Sequence, residues 1–407
     1  MNDDLLLQTL SLRPLPLRIA LVTETYPPEI NGVAMTIGRQ VADLQARGHQ
    51  IQLIRPRQSA HDTATYNASL EEVLKPGVAI PRYAGLKMGL PAKSALTRLW
   101  SVKRPDLVHI ATEGPLGWSA LAAANKLRIP VSTDFHTNFH SYSQHYGMGW
   151  LRRPILAYLR KFHNKSCVTL VPTEGIRREL QAHGYGNLEV VARGVDTQLF
   201  SPHQRNSGLR AAWGADDSTQ VVLYVGRLAP EKNLPLVFDA FAAMHATNPK
   251  VRLVLVGDGP DRHSWQKSHP HAVFCGMQTG AALSRHYASA DIFLFPSLTE
   301  TFGNVTIEAM ASGLAVLAYN YAAAEDLIRD GHNGVTVAYD DRTAFISAAR
   351  ALAGDMQKVR TLGSGARHTA QQQSWDAIHE RFEQALYAIV EKESEDDTAQ
   401  LALASTR

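Results

Sequence analysis

Cysteine is almost missing from this chain of 407 residues: Cys167 and Cys275 are its two, in different halves and in apolar, strand-like runs. That placement predicts two buried free thiols, not a disulfide framework, and so a reducing compartment. No run approaches the ~18 to 20 apolar residues of a membrane-spanning helix. The opening MNDDLLLQTLSLRPLPLR lacks the basic start and small-residue cleavage site of a secretory leader, so the expectation is a cytoplasmic protein. No Asp-x-Asp pair stands at a strand end to hold a divalent cation against a phosphate. In VLVGDGPDR, Arg262 takes the place where a dinucleotide fingerprint needs its third glycine, which argues against a dehydrogenase.

What is present describes a soluble globular enzyme: 45% apolar residues, 19% charged, and a length that implies about two domains. The net charge of +3 conceals an asymmetry, because residues 1–190 hold 22 Lys+Arg against 14 Asp+Glu while the remainder holds 19 against 24. The basic half should face something anionic. Short β-rich runs alternate with helical stretches throughout. LRIALVT, QIQLIRP, DLVHIA, IPVSTDF and CVTLVP make one series, and QVVLYVG, VRLVLVG, DIFLFP and LAVLAY a second. Continuous apolar strands between helices predict an α/β chain of two doubly wound parallel sheets. The break is expected in Ala192 to Gly208, polar and without periodicity, dividing residues 1–194 from 195–373. The tail 393–407 reads as frayed or disordered.

Ser297 to Ala318, SLTETFGNVTIEAMASGLAVLA, organises the second series. Glu300 and Glu308 straddle the point where strand DIFLFP turns into a helix starting near Gly303 or Asn304, at the edge of the sheet where ligands bind. The helix start is an anion site, and two carboxylates beside it suit hydroxyl donors on the same ligand, which together describe a sugar nucleotide. On spacing alone, a helix cap and a solvent-facing acid explain the pair as well. Arg227 and Lys232 follow strand QVVLYVG at the same edge and could neutralise a departing diphosphate; a solvated charged loop is the plainer alternative. In the first series, Asn31 and Gly32 precede a helix, where glycine permits close backbone approach to a ligand. His136 in DFHTNF stands at a strand end, a position for a site residue, although a lone histidine is more often structural.

Together NGV, His136 in DFHTNF, RGVD from Arg193, GRLAPEKN, LVGDGP and ETFGNVTIEAMASG resemble the retaining, group 1 (family 4 type) glycosyltransferases of GT-B fold over nearly the whole chain. ATEGPLG and HTNF place it nearest the bacterial GDP-mannose-dependent mannosyltransferases and the lipid glucosyl- and sulfoquinovosyl-transferases. The resemblance implies two Rossmann-like domains facing across a cleft, with a last helix near 374–392 returning to the first. It assigns Arg227 and Lys232 to the donor diphosphate, Glu308 to the ribose hydroxyls, Glu300 and His136 to the donor sugar, and Gly32, Gly226, Gly303, Asn304 and Val305 to close contacts with the donor. Many relatives have two glycines where this chain has Asn31-Gly32. Retention of configuration is implied, with the leaving phosphate as base, no protein nucleophile, no cofactor and no metal. A GT-B sugar-nucleotide epimerase, a phosphorylase and a non-catalytic nucleotide-binding module are the competing readings.

The donor, GDP-mannose or a UDP-hexose such as UDP-glucose, is left open, and nucleic acid is not an expected partner. For the acceptor, Gly147 to Ser166 sets Trp150, Leu151, Ile155, Leu156, Leu159 and Phe162 among Arg152, Arg153, Arg160, Lys161 and Lys165. That pattern suits a helix on an anionic bilayer, and a core-facing helix with a basic edge equally. The basic stretch Leu86 to Arg104 favours the membrane, and with it a lipid or lipid-linked acceptor.

Overall fold

Runs of Val, Ile and Leu too apolar to leave one face in water form two largely parallel sheets. The computed structural model describes residues 15–29, 31–79, 87–136 and 152–405. The strands of the first half are β1 (Arg18–Val22), β2 (Gln50–Pro56), β3 (Leu70–Lys75), β4 (Gly77–Ala79), β5 (Lys87–Gly89), β6 (Leu107–Ile110), β7 (Val131–Asp134), β8 (Val168–Val171) and β9 (Leu188–Val190). Seven form one sheet ordered β3-β2-β1-β6-β7-β8-β9, while β4 and β5 pair antiparallel on their own. The second half contributes β10 (Gln220–Val225), β11 (Val251–Val256), β12 (Val273–Phe274), β13 (Ile292–Phe295), β14 (Ala315–Tyr319) and β15 (Val335–Val337). They are ordered β12-β11-β10-β13-β14-β15 and parallel throughout.

In both sheets the chain builds outward from a central strand and then returns to that strand's other side: β1 lies between β2 and β6, and β10 between β11 and β13. Where the order reverses, successive crossovers leave on opposite faces and open a crevice outside the carboxyl ends of the strands. By compactness the chain divides into residues 1–132 with 388–407, and residues 133–387. The change of sheet falls between Val190 and Gln220, an interval containing Ala192 to Gly208. One helix, Trp375–Ser405, continues through residues 393–405, where composition predicts fraying.

Two expectations change. Cys167 is exposed and Cys275 only half-buried, although both thiols are free. β8 begins one residue after Cys167, and it is Ser166 whose side chain turns into the interior. The helix Arg152–His163 buries Leu159 and Phe162, with Ile155 packed on the same cluster as Phe135, Val171 and Leu180. Those residues face the protein's own core and are not offered to a bilayer, whereas Arg153, Arg160, Lys161 and Tyr158 are exposed. Trp150 and Leu151 lie outside the described residues, as do Thr137 to Phe139 of the DFHTNF stretch and Leu86 of the second basic stretch.

The crevice between β1 and β6 contains a residue that sequence patterning gave no reason to single out. Glu24, just past β1, is buried; its Oε1 accepts from Leu116 N (3.1 Å) at the start of helix Pro115–Leu127, and its Oε2 from Gly89 N (3.3 Å) at the end of β5. The approach requires glycine at 114, because a Cβ there would stand 2.0 Å from Glu24 Oε1. Burial pushes the carboxyl up to about 7 from its ordinary 4.5, against the lowering effect of the backbone donors. A carboxyl raised in the folded state stabilises the fold fully below pH 4.5, and that contribution disappears as the pH rises through about 7. Glu24→Gln cannot ionise, so its stability relative to the parent should rise between pH 4.5 and 7.5 by on the order of 3 kcal/mol. The loss of one acceptor adds an offset that does not change with pH. Urea unfolding of both proteins across that range is the measurement, and parallel pH profiles would remove Glu24 from the linkage.

Candidate functional site

The loop after β10 is shaped by glycines that serve the protein's own backbone. Gly226 has φ +157°, and a Cβ on it would meet Tyr224 Oη at 2.8 Å; a Cβ on Gly257 would fall 1.9 Å from Gly226 O, and one on Gly259 2.3 Å from Leu228 O. The loops after β10 and β11 are therefore pressed together, with Leu228 N donating to Asp258 O at 2.9 Å. GRLAPEKN then makes a short turn, Pro230–Lys232, and Asn233 in the left-handed region (φ 55°) leads into helix Leu234–Thr247.

That turn delivers Lys232 to the neighbouring strand end. Its ammonium forms a salt bridge with Glu300 and lies 3.4 Å from Thr299 O and 3.5 Å from Ser297 Oγ. The same Glu300 oxygen accepts from Ser297 Oγ at 2.8 Å, and Tyr321 Oη donates to Glu300 O at 2.8 Å. Lys232 and Glu300, on loops that follow β10 and β13, thus meet at the reversal of strand order. Arg227 stays half-exposed, with its guanidinium 3.6 Å from the buried Glu231 carboxylate. Gly303 takes φ +90° as the N-cap of helix Asn304–Ala311, a conformation that a side chain would strain. The helix starts where the sequence places it. Asn304 Oδ1 is buried and without a hydrogen-bond partner, and no acidic side chain occupies the first turn. The amide dipoles there remain available to an anion.

Glu308, half-buried on this helix, accepts from Tyr287 Oη at 3.0 Å. Tyr287 is fully buried, and burial, followed by the Glu308 charge, pushes its hydroxyl far above the ordinary tyrosine range. It therefore stays a donor and fixes one Glu308 oxygen. Tyr224 is raised likewise by burial and by Glu300 and Glu231, and donates to Arg227 O at 3.1 Å.

His136, two residues beyond β7, lies with Nε2 2.9 Å from Asp134 Oδ2, while its Nδ1 faces Arg193 Nη2 at 3.3 Å. Gly32 opens helix Gly32–Ala46 in the other compact group. Asn31 is its N-cap: Oδ1 accepts from Ala34 N at 2.8 Å and Nδ2 donates to Thr25 Oγ1 at 2.7 Å. The structure thus joins Lys232 with Glu300, gives Glu308 and His136 partners of their own, and adds Ser297, Tyr287, Tyr224, Asp134 and Arg193. Of these, Asp134 had a signal in its spacing, two residues ahead of His136. The tyrosines were indistinguishable from core. Among the described residues, no group of three or more His, Cys, Asp or Glu side chains is arranged to hold a metal ion.

A pair of Rossmann-like sheets, each reversing its order at a central strand, is the GT-B arrangement. In agreement, sucrose-phosphate synthase from Thermosynechococcus elongatus superposes with a TM-score of 0.73 at 19% identity, covering 92% of this chain and 99% of that one. The family model described as "Glycosyltransferase Family 4" matches residues 30–199, and "Glycosyl transferases group 1" matches residues 219–355. The chain is 31% identical over 364 residues to a "GDP-mannose-dependent alpha-mannosyltransferase" of Corynebacterium glutamicum, spanning 89% of this chain and 87% of that protein. It is 28% identical to an "Alpha-monoglucosyldiacylglycerol synthase" of Acholeplasma laidlawii, spanning 78% and 84%. The chain belongs to the group 1 glycosyltransferases.

Removing either cation of the loop after β10 tests its place in the site. Arg227→Ala and Lys232→Ala should each lower sugar transfer by about 100-fold, the loss associated with one preorganised donor to developing charge. Near-normal turnover in both would take the loop out of the chemistry.

Proposed function

We propose that this enzyme transfers a hexose, with retention of configuration, from a nucleoside-diphosphate sugar to a hydroxyl of a lipid or lipid-linked acceptor. The observation that carries the reading is Lys232 bridged to Glu300 beside the N-terminus of helix Asn304–Ala311. One end of that arrangement is cationic and suits a diphosphate; the other is carboxylate and suits hydroxyls. Glu308, with one oxygen fixed by Tyr287, suits the ribose hydroxyls, and Glu300 and His136 the transferred sugar. Gly32, Gly226, Gly303, Asn304 and Val305 supply close contacts to the donor. The names of the mannosyltransferase relatives favour GDP-mannose, with a UDP-hexose as the second candidate.

In the reaction, the bond between sugar C1 and the diphosphate oxygen breaks while the acceptor oxygen bonds C1 from the same face. The acceptor proton passes to the leaving phosphate. Arg227, Lys232 and the helix amides balance the charge that collects on that phosphate, so the reaction needs neither a protein nucleophile nor a bound metal. With GDP-mannose, a diacylglycerol-type acceptor and excess EDTA, an α-linked product at undiminished rate is expected by NMR. Loss of activity restored by magnesium or manganese would overturn this charge balance, and an inverted product would overturn retention.

The lipid acceptor draws on the names of relatives such as the diacylglycerol glucosyltransferase. No described helix is long and apolar enough to cross a membrane. Attachment at the cytoplasmic face would therefore be peripheral, and since Leu159 and Phe162 are buried it would rest on charge: Arg153, Arg160, Lys161 and Lys165, with the exposed Tyr158 at the interface. Each basic residue near an anionic surface contributes on the order of 1 kcal/mol, screened by salt. Flotation should recover the protein with anionic vesicles at low salt and release it at high salt. Equal, weak recovery on neutral and anionic vesicles would favour a soluble acceptor.

A further inference from the structure

Arg193 has no role in the reading above, yet its surroundings are those of a working residue. It opens the RGVD stretch, is 8% exposed, and has its Nε buried without a hydrogen-bond partner. Burying a guanidinium is costly unless its charge is matched. Burial pulls Arg193 below the ordinary arginine range, and the charges of Asp134 and Glu300 push it back.

The geometry around the imidazole is directional. Arg193 Nη2, which can only donate, faces His136 Nδ1 at 3.3 Å, and Asp134 Oδ2 lies 2.9 Å from Nε2 on the other side. A guanidinium cannot accept, so in the neutral ring Nδ1 must carry its lone pair and Nε2 its hydrogen; Asp134 Oδ2 is close to Nε2, but the two do not form a hydrogen bond. Nε2 makes no hydrogen bond of its own, so Arg193 supplies the directional contact that keeps the lone pair on Nδ1.

We propose that Arg193 is a positioning residue that fixes the tautomer and orientation of His136. The inference rests on the glycosyltransferase reading for its effect on rate, but its structural part stands without it. Arginine is suited to the task because it retains its proton at every working pH and so never offers Nδ1 an acceptor.

The test therefore begins without substrate. Long-range proton–nitrogen spectra of 15N-histidine-labelled protein, with the His136 signals assigned by their loss in His136→Ala, should show the Nε2–H tautomer in the parent. Arg193→Gln, whose amide can still donate to Nδ1, should retain it, whereas Arg193→Met should give the Nδ1–H form or an average. In turnover, Arg193→Met should lower kcat by about 100-fold with donor KM within twofold, as expected when a site group is misplaced and not removed. Arg193→Gln should recover much of that loss, and the double variant Arg193→Met, His136→Ala should be no slower than His136→Ala alone. An unchanged tautomer in Arg193→Met, or in Arg193→Gln lacking the parent's tautomer despite a normal melting curve, would overturn the proposal. So would losses that multiply in the double variant. If the tautomer responds as expected while no variant affects kcat, positioning stands and the role of His136 in transfer fails.

Discussion

A parallel sheet covered on both faces leaves its strand ends as the places where polar side chains can gather without opening the core. In this chain the constraint is severe, since every residue of β10, β13 and β14 is buried. The ionisable groups that matter accordingly stand two to five residues beyond a strand: Glu24 after β1, His136 after β7, Arg227 after β10, and Glu300 after β13. The reversal of strand order then decides which ends become neighbours. Lys232 and Glu300 are 68 residues apart in sequence, and they meet because β10 and β13 are adjacent, with β11 and β12 built on the other side.

The pairing also determines what each charge does before a ligand arrives. Lys232 is only partly exposed and Glu300 no more so, and each would lose solvation without its partner. Their salt bridge matches the one charge with the other. On the proposed function, a diphosphate offers Lys232 a more concentrated anion, and Glu300 is left with Ser297 as a donor and free capacity for a sugar hydroxyl. Glu308 differs: its donor, Tyr287, is kept protonated by burial and is not displaced, so the oxygen it binds stays oriented whether or not a ribose is present.

Much of this was legible in the sequence, for reasons that particular residues make plain. Apolar runs located the central strands, and the helix start at Asn304 followed from Gly303 and the end of DIFLFP. The edge strands β3, β9, β12 and β15 escaped notice because partial burial makes them short and mixed in composition: LEEVLK carries three charges and still pairs with β2. The apolar face of helix Arg152–His163 could be assigned from periodicity to a core or to a bilayer, and only packing against Phe135 and Leu180 decides for the core at Leu159 and Phe162. Glu24 was invisible because its environment comes from backbone amides at Gly89 and Leu116, and nothing in a one-dimensional pattern brings those to residue 24.

The glycines of VGDGP show how one local pattern can arise from two different needs. A dinucleotide-binding loop uses glycine so that backbone can approach a pyrophosphate and so that a helix can pack close to its strand. Here the approaching backbone belongs to the protein: Gly257 and Gly259 clear the carbonyls of Gly226 and Leu228, and a methyl group at either would collide within 2.3 Å. Arg262 at the third position is then no defect. Its guanidinium binds Asp258 one turn back, at 3.0 Å, and lies against Gly276, which takes φ +69° and gives it room. The two loops are thereby held as one rigid ledge, and it is on this ledge, one loop over from the glycines, that Arg227 and Lys232 are mounted. Gly257 and Gly259 thus act through the protein's own backbone, by fixing the loop whose side chains carry the charge.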